Sequence, residues 1–216
     1  MTEIKGRTEN GLSRRTMVKG AAWSVPVIAV AAATPMAAAS TTNASLAWTD
    51  SDFGLLSLQL IDGDATLGAQ VAITVPSEFT FTNGPGAISD NATVTITVGR
   101  PSGINIPVGR ARGFGVYSYN GVETPASTRT VTYQTVPVVG TEFGVPETTY
   151  SAVQPVSVAS DGTLAVPVEF GLAGTSDLIS ISALASFPVT LTVDFSDGTT
   201  LTASSTISVP VGAGVL

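Results

Sequence analysis

The chain has 216 residues, 44% hydrophobic and 12% charged, and its 9 lysines and arginines against 16 aspartates and glutamates leave a net charge of −7. It contains no cysteine and no histidine. That excludes disulfides, a serine triad, the commonest general base and the usual ligands of zinc, haem and iron–sulfur centres, so no cofactor is expected.

The first element in chain order is Ser13–Ser40, "SRRTMVKGAAWSVPVIAVAAATPMAAAS". Lys5, Arg7, Arg14, Arg15 and Lys19 make a basic start, residues 20–33 form an apolar run interrupted by Pro26, and Thr34-Pro35 stops any helix before Ala37-Ala38-Ala39. This is the order of an export leader. Small side chains at Ala37 and Ala39 suit the shallow pockets of a signal peptidase, which places the cut after Ala39 and makes Ser40 the first residue of the exported chain. A bilayer span needs about 20 apolar residues; the run is shorter, so no stable membrane span is expected after cleavage.

Ser13-Arg14-Arg15-Thr16-Met17-Val18-Lys19 resembles the twin-arginine (Tat) signal, with Met17-Val18 in place of its usual Phe-Leu pair. The stretch "VKGAAWSVPVIAVAAATP" is similar to leaders of small exported proteins of actinobacteria. The resemblance covers residues 1–39 alone. It implies the Tat translocase and signal peptidase as partners during export, and a destination that is secreted or at the cell wall.

Beyond residue 39 the cations are Arg100, Arg110, Arg112 and Arg129, against nine aspartates and five glutamates, so the net charge there is −10. Phosphate affinity comes from clustered Lys and Arg, so nucleic acid and anionic membrane are disfavoured partners. The arginines are expected to pair with the domain's own carboxylates.

Period-2 alternation dominates residues 40–216. The runs are Leu56-Leu58-Leu60, Val71-Ile73-Val75, Phe79-Phe81, Val94-Ile96-Val98, Val131-Tyr133, Leu164–Phe170, Ile179-Ile181, Val189–Phe195 and Leu201–Val209. One parity is apolar and the other rich in Ser and Thr, as in antiparallel sheets with one wet face. Turn signals separate the runs at Asp62-Gly63, Asn83-Gly84-Pro85-Gly86, Asn120-Gly121, Asp161-Gly162 and Asp197-Gly198. Asp197-Gly198 reads as a tight hairpin between the last two strands, and Pro167 marks an edge, where a missing N–H costs little.

The fold expected is all-β, an antiparallel β-sandwich of nine to eleven strands, immunoglobulin-like or a related Greek key. One enlarged sandwich over residues 40–216 is the first choice, with two small ones joined near residues 99–113 as the alternative.

The densest acids, Asp50, Asp52, Asp62 and Asp64, are the calcium candidates, but neither pair completes a calcium loop and turn chemistry accounts for both, so no metal is expected. Fourteen acids permit a carboxylate pair for glycoside hydrolysis without indicating one. Tyr117 and Tyr119, two apart on a strand, would face one way and could stack on a sugar; Phe114 and Val116 would then be the core face. The expectation is an exported, non-catalytic extracellular or wall-associated domain with a structural, adhesive or ligand-binding role, meeting a wall polymer, a glycan or a protein. A carbohydrate-binding module is the alternative, and a carboxylate hydrolase ranks behind it.

Overall fold

A computed structural model describes residues 43–53, 56–59, 66–69, 73–102, 108–176 and 185–209. Residues 39–216 form one compact unit. The strands are β1 (Ser45–Phe53), β2 (Leu56–Gln59), β3 (Thr66–Ala69), β4 (Ile73–Thr82), β5 (Ile88–Val98), β6 (Gly113–Tyr119), β7 (Val122–Glu123), β8 (Arg129–Thr135), β9 (Glu142–Val158), β10 (Thr163–Ala173), β11 (Ala185–Asp194) and β12 (Thr200–Val209). Every ladder between them is antiparallel, and no α-helix occurs among the described residues. The all-β class expected from alternation is the class observed. Among the described residues the strands number twelve rather than nine to eleven, because β1, β3, β7 and β9 carry too little clean alternation to stand out. Ile179-Ile181 lies outside the described residues.

Ten strands form one curled sheet in the order β7-β6-β10-β4-β12-β11-β5-β9-β8, with β1 added on β4. One half, β12-β11-β5-β9-β8, is built on long regular ladders. The other, β1, β4, β10, β6 and β7, is held together by β10, which pairs β4 through Thr163–Pro167 and then β6 through Val168–Ala173. The halves meet at a single pair, Ser208 and Thr74. They also touch across the core, where Phe114 of β6 lies edge-on to Phe187 of β11 at 4.9 Å and Phe81 of β4 to Phe195 at 5.8 Å.

The alternation explains the core. Val189, Leu191 and Val193 of β11 lie opposite Val98, Ile96 and Val94 of β5, and all six are at most 1% exposed. The intervening Thr95 and Thr97 face outward and reach Ser151 and Thr149 on β9 through their hydroxyls, at 3.2 and 3.4 Å. A one-residue slip would exchange these rows. β11 and β12 pair from Ala185–Val209 to Asp194–Thr200. Their turn is closed by Gly198 at φ 86, a conformation that glycine adopts without strain. Asn120 and Gly121, at φ 51 and 74, make the corresponding turn between β6 and β7.

Candidate functional site

Strand β8 ends the sheet, and among the described residues no strand pairs its outer side. Its residues are exposed or half-buried, and no lysine or proline guards the edge. A bulge between Thr132 and Gln134 breaks its register with β9 and re-aims the extra residue, Tyr133. The Tyr133 hydroxyl donates to the Thr175 carbonyl at 2.7 Å and accepts from the Thr175 N–H at 2.8 Å. This ties the edge strand to the segment that follows β10.

All four arginines of residues 40–216 gather at this edge. Arg100 donates to the Thr132 carbonyl at 3.0 Å and lies 4.0 Å from Glu147. Arg110 lies 3.4 Å from Glu142 and 6.0 Å from the centre of the Tyr133 ring. Arg112 donates to the Gly174 carbonyl at 2.8 Å, beside Thr175. Arg129 opens β8 and donates to the Thr124 hydroxyl at 3.4 Å. Pairing with carboxylates, the expectation from sequence, holds for Arg100 and Arg110. Such exposed pairs hold little energy, but they place the domain's positive charge on one side.

The β8–β9 connection adds an apolar tip, Val136-Pro137-Val138-Val139. Val138 is fully exposed and Val139 is 74% exposed. Val138 also has φ 77, a left-handed conformation that is a genuine outlier for a β-branched residue. Glycine or asparagine would sit there at lower cost, and a polar side chain would suit water better. Two unfavourable features thus coincide at one position of the tip. Sequence reading missed it because its apolar residues resemble core residues; the turn residues around it were the only signal.

The tyrosine pair does not form an exposed platform. Glu169 pairs Ser118 while Phe170 pairs Val116, so Tyr117 is an extra residue in β6. The bulge reverses the parity after it. Phe114 and Val116 are core residues as expected, at 2% exposure each, but Tyr119 also turns inward. Its ring stacks on Tyr150 at 5.6 Å and meets Phe79 at 6.2 Å. Tyr117 is half-buried.

Burial, and then the neighbouring Tyr150, push the Tyr119 phenol far above its ordinary value of 10.0. Burial also raises Tyr150, against the opposing hydrogen bond from Gln154. Both groups hold their proton more tightly folded than unfolded, so their contribution is complete below pH 10 and is lost as pH rises beyond it. Urea midpoints should therefore be level up to about pH 9 and fall by about pH 11. Tyr119→Phe should flatten that fall, and an unchanged alkaline slope would place the loss elsewhere.

Of the acidic candidates, Asp50 accepts a hydrogen bond from the Ser205 hydroxyl at 2.6 Å, which ties β1 to β12. Asp52 falls on β1, and its side chain is outside the described set, as are Asp62 and Asp64 altogether. Among the described residues no three of Asp, Glu, His or Cys converge as metal ligands. The export residues Arg14, Arg15, Lys19, Ala37, Ala39 and Ser40 also lie outside the described residues. Comparison with known families and with curated proteins finds no match to this chain.

Proposed function

We propose that the chain is an exported, non-catalytic protein, secreted or held at the cell wall, whose domain acts as an adhesive or structural element. The observation that supports this most directly is the apolar, strained tip Val136–Val139 on an open strand edge. Edge strands recruit extended segments through main-chain hydrogen bonds, and the tip supplies apolar contact at the end of that edge. The arginines around β8 bias it toward an acidic partner, which a domain of net charge −10 overall would otherwise repel. The leader, resembling a Tat signal, supports delivery to the outside.

The test separates export from attachment. Val138→Asp with Val139→Asp places charge on two exposed side chains without touching the core, and aspartate tolerates a positive φ better than valine. The expected result is unchanged export with a several-fold smaller wall-bound share in fractionated cells. An unchanged wall-bound share would overturn the adhesive role of the tip.

A further inference from the structure

The two strands after the β8 hairpin leave a slot in the curled sheet. From Ser151 to Val158, β9 pairs only with β5, and from Thr163 to Pro167, β10 pairs only with β4. They are consecutive and joined by the short turn at Ala159–Gly162, yet no ladder forms between them among the described residues. Strands joined so closely normally zip into a hairpin. Here Pro155 and Pro167 stand one on each side. Each removes a backbone donor that such a ladder would use. β10 is also committed at its far end to β6, which draws it away from β9.

Behind the slot lies a cavity of about 260 Å³. Its walls are Phe79, Phe81, Tyr119, Val166 and Val193, and its outer rim carries Asn120, Gln154 and Ser157. Protein interiors pack like organic crystals, with few voids larger than a water molecule, so a space of this size is a feature of the fold. Apolar walls hold water poorly, and a dry cavity of about 150 Å³ accepts benzene. The present volume falls between that and the pockets of about 300 Å³ and upward that take drug-sized ligands. Among the described residues no charged side chain lines it. The rim groups named are neutral, and one of them is already oriented: Gln154 Nε2 donates to the Tyr150 hydroxyl at 2.9 Å, leaving its carbonyl oxygen to accept from a ligand.

We propose that this cavity binds a small uncharged molecule, one or two fused rings or an equivalent hydrocarbon, with a single hydroxyl group that stays at the Gln154 rim. The site is separate from the tip and edge of β8, and it stands or falls independently of the adhesive role.

The test uses the full chain, 1-naphthol as probe, and naphthalene and 1-naphthoate as its uncharged and charged relatives, with binding followed by equilibrium dialysis. The expected result is saturable single-site binding of 1-naphthol, with 1-naphthoate weaker by about tenfold or more because its carboxylate has no partner in the site. Val166→Trp, which fills the cavity, should abolish binding while the strand signal in circular dichroism is kept. Should that variant fail to fold, Gln154→Leu decides the matter. It lies at the half-buried rim and should weaken 1-naphthol several-fold while leaving naphthalene unchanged. Absence of saturable binding by the parent would overturn the proposal. So would equal binding by a folded Val166→Trp chain, equal affinity for 1-naphthoate, or indifference of 1-naphthol to Gln154→Leu.

Discussion

Replacing Ile207 by alanine is expected to cost about 2–5 kcal/mol of folding stability, whereas Thr206→Ala next to it should change stability by no more than about 0.5 kcal/mol. Ile207 is 0% exposed, and Thr206 is exposed on the opposite face of β12. The site of Ile207 cannot readily collapse around a deletion. Its partner across the ladder is Phe187, whose ring is fixed edge-on against Phe114 at 4.9 Å. The backbone there is held by ten successive residue pairs between β11 and β12. Removing three carbons therefore leaves a cavity rather than a repacked core. Chemical denaturation of both variants beside the parent checks the pair. Equal small effects would make β12 a loosely attached strand, and equal large effects would mean that its Ser/Thr face is buried as well.

That asymmetry was legible in the sequence because one-sided burial repeats every second residue. The run Leu201–Val209 has Ile207 and Val209 in one parity and Thr206 and Ser208 in the other, and the structure buries the first pair and leaves the second outside or half-buried. The Asp197-Gly198 turn and the Val94-Ile96-Val98 row were legible for similarly local reasons; Pro167 was not, because its strand β10 is no edge but lies between β4 and β6. β9 was hidden for a local reason too. Its 17 residues contain Gly144, Pro146 and Pro155, and each argues against a continuous strand. The strand persists because it changes partners, β8 for its first half and β5 for its second.

The functional surfaces were less legible because non-local pairing creates them. Alternation alone put Tyr119 on the wet face with Tyr117; the bulge opposite Glu169 and Phe170, a property of the β6–β10 register, turned it into the core. The four arginines are spread from 100 to 129 in sequence, yet converge because β8 folds back over the segments that carry them. The slot in front of the cavity likewise depends on β10 leaving β9 for β4 and β6.

Changing Arg14 and Arg15 together to lysine is expected to leave the protein inside the cell at precursor size. Both side chains carry the same charge, so a loss of export would isolate the planar guanidinium fork, which makes paired hydrogen bonds that an ammonium does not. The domain's construction would give such a route a physical reason. Its sheet is made of distant pairings: β1 and β4 precede β10 and β12 by long stretches of chain, and β4 joins three of these elements. Such topologies fold slowly, because loop-closure entropy is met before the contacts that offset it. With no cysteine, no disulfide could secure the fold of an exported domain. A translocase that moves a folded domain spares it that slow search in an unprotected compartment, whereas a threading channel would deliver it unfolded, with strand edges such as β8 open to aggregation. Immunoblots of cell and culture fractions read the outcome. Normal processing of the double-lysine chain, or export that persists through the general secretory channel, would remove the twin-arginine assignment and with it the inference that the domain folds before it crosses.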